Sequence, residues 1–124
     1  MDITKTIADL KSDPDFAQNV GMILVHNGIV RGTSRAEGRA VDCVEVSPDH
    51  GRIEELCREF EGREGIHKIL AEAKSGRLHV GDDLLFILVA GDFRENVKAC
   101  LSELLDRIKS EAVVKTEVCR EPGE

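Results

Sequence analysis

The stretch Asp92–Lys115, DFRENVKACLSELLDRIKSEAVVK, decides the fold of this chain. Its apolar residues recur every three or four positions, which is the period of one face of an α-helix. The pattern therefore predicts an amphipathic helix with Lys109 at its end. The β-branched segment Ala112–Cys119 (AVVKTEVC) follows at once and predicts a closing strand, which carries a second lysine, Lys115.

Two further patterns predict where helices begin. Asp92 and Glu95 have the spacing of a capping box, so we expect them to cap the helix that leads to Lys109. Earlier in the chain, Ser47 and Pro48 offer a serine cap followed by proline at the first helical position. A second amphipathic helix is therefore predicted to begin there.

Outside these helices the chain predicts further strands. Gly21–Val30 is β-rich and apolar, and Arg39–Val46 is expected to pair with it across a polar loop. Leu84–Ala90 (LLFILVA) is the most apolar run and is expected to be a buried central strand. Residues 66–74 have helical propensity but also alternate as a strand does. With a helix at residues 3–11, and if residues 66–74 form a strand, the predicted order is α-β-β-α-β-β-α-β, an α+β fold.

Composition limits the classes of function. The chain has 124 residues, 41 % of them apolar and 33 % charged, which suits a single domain over residues 1–124. Its net charge of −7 argues against a nucleic-acid surface, and no apolar run is long enough for a membrane span, so we expect a cytoplasmic protein. The four cysteines form no CxxC pair and the histidines show no ligand spacing, so no metal site is expected. Cys57 and Cys100 fall on apolar helical faces, which favours buried thiols.

Five segments occur in an informative order: GMILVHNGIVRG (21–32), VEVSPDHGRIEEL (44–56), SGRLHVGDDLLFILVAGDFR (75–94), LLDRIKSE (104–111) and AVVK (112–115). In this order they resemble the catalytic (large) subunit of molybdopterin synthase, the MoaE-like family. That family has a GAVxxFxGxVR-like strand, a strand followed by a helix, a GxLxxGD/E turn, an SAHR-type helix start, and lysines at a helix end and in a PxWK-type segment. The resemblance covers about residues 3–118.

The resemblance implies an α/β hammerhead-like fold, mostly antiparallel sheet with two to three helices, and it favours a strand for residues 66–74. It implies a homodimer that binds a ubiquitin-like small subunit at each end, as a heterotetramer. The small subunit inserts its C-terminal Gly-Gly, carried as a thiocarboxylate. The implied reaction transfers sulfur from this thiocarboxylate to precursor Z (cyclic pyranopterin monophosphate) and forms the dithiolene of molybdopterin. No cofactor is implied.

The resemblance also implies four site residues. Lys109 matches the family's helix-end lysine and Lys115 its second lysine, so both are expected to be catalytic. Arg31, after the first strand, and Arg94, in the SAHR-like helix start, are expected to bind the substrate's phosphate. Bidentate arginine and proton-donating lysine suit such a substrate. Phe93 stands where the family has histidine, and the proline and tryptophan of the PxWK segment are absent from AVVK.

Ordinary interpretations remain open for the same residues. Lysine at a helix C-terminus complements the helix dipole, and lysine on an edge strand discourages aggregation. His26 is expected to pack or to face solvent on its strand. Two other functions also remain open. One is a non-catalytic relative, a dimeric binding module for a ubiquitin-like partner, which Phe93 and the missing tryptophan favour. The other is an unrelated small α+β ligand-binding or regulatory dimer.

Overall fold

The computed structural model describes residues 1–35 and 38–119. The described elements are α1 (Ile3–Lys11), α2 (Phe16–Asn19), β1 (Met22–Ile29), β2 (Val41–Pro48), α3 (His50–Glu61), β3 (Ile66–Ala73), β4 (Gly76–His79), β5 (Asp83–Gly91), α4 (Arg94–Glu111) and β6 (Val113–Cys119). The α+β fold is confirmed, and residues 66–73 form a strand as the resemblance implied. The short α2 and β4 are additions to the predicted order. No helix in the described ranges is long and apolar enough to cross a membrane.

The described strands form two antiparallel sheets, in the orders β1-β5-β3 and β4-β2-β6. The central position of β5 follows from its composition, because a strand that is paired on both sides and covered on both faces needs a continuous apolar run. Leu85 to Ala90 are all buried. The prediction of a buried central strand at Leu84–Ala90 is confirmed.

The predicted pairing of the second strand with the first is wrong. β2 instead pairs with β4 on one side and with β6 on the other, so that Val44 lies opposite both Leu78 and Glu117. In the loop between β1 and β2, an isolated antiparallel bridge joins Thr33 to Ala40. The chain therefore changes sheet at this loop, and the architecture has two small sheets where one was expected.

The main core lies between the first sheet and the two long helices. Its most completely buried side chains come from α3, α4, β3 and β5, and they include Leu56, Phe60, Val97, Leu104, Ile108, Ile69 and Ile87. Cys57 and Cys100 belong to the same cluster, so the prediction of buried thiols at these positions is confirmed. The predicted apolar face of α4 is thus the surface that fixes this helix against the sheet.

The predicted capping box of α4 is wrong by one residue. The N-cap position belongs to Phe93, whose side chain makes no cap hydrogen bond. Asp92 lies just before it, where its Oδ1 accepts hydrogen bonds from the Phe93 N–H at 2.5 Å and from Asn96 Nδ2 at 2.9 Å. Asp92 therefore orders the entry to the helix without capping it, and Glu95 plays no part in a reciprocal pair.

The predicted start of α3 is also wrong. Ser47 and Pro48 remain in β2, where Pro48 lies opposite Val113 as the last residue of the strand. A proline is tolerated at a strand end, where the ladder does not need its missing N–H. The N-cap is Asp49, whose Oδ1 accepts a hydrogen bond from the Arg52 N–H at 3.0 Å.

A second, smaller core joins the two sheets. Its buried members are all valines, and they are Val30, Val41, Val44 and Val46. Leu84 of β5 and Val113 of β6 pack against this cluster from the two sheets. The junction is therefore apolar inside, and it lies where α4 ends and β6 begins.

Candidate functional site

A pocket of about 560 Å³ opens at the junction of the two sheets. This volume lies within the usual range for small-molecule sites, roughly 300–1,000 Å³. The apolar part of its wall is aliphatic and is formed by Val30, Val44, Ala73, Leu84, Leu85 and Val113. The wall can therefore exclude water from one side of a small ligand while leaving the polar groups to the rim.

Four cationic side chains line the same pocket. Lys109 comes from α4, Lys115 from β6, and Arg31 and Arg35 from the loop after β1. Glu117 is the one carboxylate among the described lining residues. In a chain of net charge −7, this concentration of positive charge makes the pocket suited to an anionic ligand. The structure thus brings together three of the four predicted site residues.

The junction between α4 and β6 positions the two lysines. Ala112 ends the helix, and its N–H donates to the Ile108 carbonyl at 2.9 Å while its own carbonyl accepts from the Asp49 N–H at 2.7 Å. The strand begins at the next residue, and side chains alternate between its faces. Lys115 and Glu117 therefore share the strand face that lines the pocket. Val114 belongs to the opposite face of the strand and is 67 % exposed.

An ion-pair network holds the end of α4 against α3. Glu111 accepts hydrogen bonds from Arg107 of the same helix and from Arg52 of α3, the latter at 2.5 Å. Arg107 also donates to Glu59 at 3.1 Å. Hydrogen bonds from Arg107 and then Arg52 lower the pKa of Glu111 to about 2. The turn that carries Lys109 is thus tied to a second helix by groups outside the pocket.

His26 is a pocket residue that the sequence analysis missed. It lies on the same face of β1 as Gly28, and its Nε2 has no solvent contact and no hydrogen-bond partner among the described residues. A side chain at position 28 would place its Cβ only 3.1 Å from Nε2, so glycine leaves the room that the ring tip uses. Burial, and then the positive charge of Lys109, lower the pKa of His26 below its usual 6.5.

The imidazole is therefore neutral at pH 7, and it lies beside Lys109 on the pocket wall. A signal for it was present in the motif HNGIVR, because His26 stands where the resembling strand pattern has phenylalanine. Polar substitution at an inward strand position would have pointed to the site.

Arg94 lies away from the pocket. It is in the first turn of α4, its side chain is 79 % exposed, and it forms an ion pair with Glu95 at 3.5 Å. Lys109 is fifteen positions further along the same helix, which corresponds to about 22 Å at 1.5 Å per residue. Arg94 therefore does not share a pocket with Lys109 within one chain. Its neighbour Phe93 is 68 % exposed.

Fold and site together define an α+β domain with a cationic pocket for a small anionic ligand at the junction of its two sheets. The chain belongs to the family described as MoaE protein, which it matches over residues 1–111. Membership of this family supports a role in molybdenum cofactor biosynthesis. None of the curated proteins matches the chain.

Solved structures share the fold. The molybdopterin synthase of Staphylococcus aureus matches with a TM-score of 0.71 at 18 % identity, over 82 % of this chain and 77 % of the other. The molybdopterin cofactor biosynthesis protein E of Burkholderia multivorans matches with a TM-score of 0.73 at 23 % identity, over 97 % and 82 %. A complex of subunits 1 and 2 of molybdopterin-converting factor from Helicobacter pylori matches with a TM-score of 0.68 at 16 % identity, over 97 % and 80 %.

Proposed function

We propose that this chain is the catalytic subunit of a molybdopterin synthase. It takes sulfur from the C-terminal thiocarboxylate of a ubiquitin-like small subunit and transfers it to precursor Z, which becomes the dithiolene of molybdopterin. The observation that carries the proposal is the convergence of Lys109, Lys115 and Arg31 from three different elements on one pocket. These are the positions that the MoaE-like motifs assign to catalysis and substrate binding.

The chemistry of the pocket suits this reaction. In each transfer the sulfur replaces one oxygen of precursor Z, so a carbon–sulfur bond forms and the bond from that carbon to oxygen breaks. The acyl–sulfur bond of the tail breaks as well, water adds to the acyl carbon, and the tail leaves as a carboxylate. Oxyanions develop on the way, and fixed cations at a partly apolar wall stabilise such charge. Lys109 acts as the acid/base or transient acceptor at the thiocarboxylate carbonyl, Lys115 stabilises the developing charge, and Arg31 binds phosphate through its fork of donors.

Three of the four cysteines support an external source of sulfur. Cys43, Cys57 and Cys100 are all buried. Burial raises the pKa of Cys57 to about 11 and also raises the pKa of Cys100. A thiol in such surroundings stays protonated at neutral pH and is a poor nucleophile. Sulfur carried on a partner's thiocarboxylate is therefore the better match to this chain than sulfur carried on one of these thiols.

The partner and the oligomer are part of the proposal. The Helicobacter pylori structure that shares this fold contains two different subunits, which supports a small-subunit partner here. We propose a homodimer with a small subunit at each end. The distance of about 22 Å along α4 keeps Arg94 from the pocket of its own chain. If Arg94 contacts the substrate, it does so in the pocket of the second copy.

A non-catalytic binding module is the second candidate. Phe93 favours it, because an exposed phenylalanine stands where the family's helix start has a histidine. An apolar ring that is 68 % exposed offers contact area to a partner but no proton to a reaction. Such a protein would bind the small subunit and release no pterin product.

Turnover separates the two candidates. The purified chain is mixed with thiocarboxylated small subunit and precursor Z, and dithiolene is followed as its fluorescent oxidised derivative. The proposal predicts product in proportion to the thiocarboxylate consumed. Binding of the small subunit without product would establish the binding module. Neither binding nor product would leave the chain as a pocket protein of another function.

A further inference from the structure

The loop between β1 and β2 carries a second arginine to the pocket, at a position that the family motifs do not assign. Hydrogen bonds between Ser34 and Arg39 help to close the base of the loop. Ser34 N–H donates to the Arg39 carbonyl at 2.7 Å, and Arg39 N–H donates to Ser34 Oγ at 3.1 Å. Ser34 is only 9 % exposed, so it anchors the loop in the protein. Arg35 follows this anchor directly and lines the pocket.

Arg31 and Arg35 differ in their partners from many other arginines of the chain. Among the described residues, ion pairs with carboxylates are formed by Arg52, Arg58, Arg63, Arg77, Arg94 and Arg107. Arg31 and Arg35 form no ion pair with any carboxylate in residues 1–35 and 38–119. In a chain with 24 acidic and 17 basic residues, two guanidinium groups that line one pocket without such a partner in the described part of the chain are available to an external anion.

We infer that Arg35 acts with Arg31 as the pair of guanidinium groups that binds the phosphate of the pocket's ligand. The inference deepens the proposed function and rests on it, since it takes the phosphate to be that of precursor Z. It adds Arg35 to the residues that the motifs assign to the phosphate, and it does not need Arg94 of the same chain, which lies about 22 Å from Lys109 along α4.

The arrangement of the cations favours the phosphate over the small subunit's tail as the group that Arg35 binds. The two arginines come from the loop, and the two lysines come from the α4–β6 junction, so the pocket has two separate sources of positive charge. The reaction brings two anionic groups, a phosphate and a thiocarboxylate. Planar guanidinium forks match the paired free oxygens of a phosphate, whereas a lysine is a point charge that can also transfer a proton.

The test compares Arg35→Ala with Lys98→Ala, which removes the same charge from an exposed position of α4 outside the pocket. We expect Arg35→Ala to raise KM for precursor Z by about 10-fold or more, with a much smaller change in kcat, because a charged hydrogen bond is lost. Arg35→Lys should recover part of the loss through its charge. Thermal unfolding should be unchanged in all three variants, since Arg35 is exposed.

A second measurement does not depend on turnover. Binding of inorganic pyrophosphate to the full chain is measured by calorimetry, and Arg35→Ala should weaken it by a similar factor while Lys98→Ala leaves it unchanged. If the wild type makes no dithiolene but shows this dependence, the proposed function fails and the anion site stands.

Two results would overturn the inference while leaving the proposed function intact. One is equal KM and equal pyrophosphate affinity in Arg35→Ala and Lys98→Ala. The other is weaker binding of the small subunit in Arg35→Ala with an unchanged KM for precursor Z, which would assign Arg35 to the tail's carboxylate.

Discussion

Replacing His26 with phenylalanine should stabilise this protein. His26 Nε2 is buried without a partner among the described residues, and an unsatisfied neutral polar group of this kind costs about 1–3 kcal/mol. Phenylalanine keeps a ring of similar shape on the same strand face and removes the nitrogen. We therefore expect the free energy of unfolding at pH 7 to rise by about 1–2 kcal/mol. For a domain of this size the melting temperature should rise by about 3–6 °C per kcal/mol.

The gain should depend on pH in a defined direction. The pKa of His26 in the folded protein lies below 6.5, because burial and the charge of Lys109 disfavour the imidazolium. As the pH falls below 6.5, His26 binds a proton more readily in the unfolded chain than in the folded protein, so the wild type loses stability. The variant has no such group. The other lining charges, Arg31, Arg35, Lys115 and Glu117, are common to both proteins.

Urea unfolding at pH 7.5 and pH 5.5 measures both effects. The control is His79→Phe, because the His79 side chain is 71 % exposed on β4 and a surface substitution should change stability by less than about 0.5 kcal/mol. The reasoning predicts that His26→Phe is more stable than the wild type and that the difference is larger at pH 5.5. A variant that is less stable than the wild type, or a difference that stays constant with pH, would refute it.

Three other substitutions test the account of the fold. Glu111→Gln should lose less stability than the wild type between about pH 4.5 and pH 2. The reason is that the lowered pKa of Glu111 confers stability that disappears as its carboxylate is protonated. Thermal unfolding of both proteins across that pH range measures the difference. Gly28→Ala should destabilise the wild type more than it destabilises a His26→Ala variant, because the new Cβ crowds Nε2 of His26. A double-mutant cycle should give a coupling free energy of more than about 0.5 kcal/mol. Leu104→Ala should lower the free energy of unfolding by about 2–5 kcal/mol in urea, since Leu104 is fully buried.

Local periodicity was sufficient to predict the elements that matter most. The apolar face of α4 and the apolar run of β5 each carry many residues with one consistent pattern, and both are confirmed. Lys109 and Lys115 could be located because one lies at the end of a predicted helix and the other in the strand that follows it. Their convergence required only that β6 turn back at Ala112.

Features that depend on distant parts of the chain could not be predicted in the same way. β2 has a composition that suits either sheet, and its true neighbours β4 and β6 are far away in sequence. The cap of α3 was missed because Ser47 and Asp49 both stand near the helix start, and only backbone geometry selects between them. The cap of α4 was missed because the helix begins after Phe93, a residue whose side chain gives no capping signal.

In the site, too, local sequence predicted some features, and others depended on contacts between distant parts of the chain. Arg94 and Lys109 are fifteen positions apart on the predicted helix, or about 22 Å, so the helix alone already shows that they cannot share a pocket within one chain. Arg35 and His26 can be recognised as lining residues only when the conformation of the loop and the orientation of β1 are known. A resemblance assigns residues to a function, whereas helical rise and strand alternation decide which of them can meet in one chain.

Turnover of Lys109→Ala is the most direct test of whether the pocket at the sheet junction is the site of sulfur transfer. Both Lys109 and its control Lys98 are exposed on α4, so neither alanine variant should unfold the protein. With thiocarboxylated small subunit and precursor Z, the account predicts that Lys109→Ala loses about 100-fold or more in kcat, the scale of a lost acid/base group, while Lys98→Ala keeps wild-type turnover. Wild-type turnover in folded Lys109→Ala would contradict this role of the pocket.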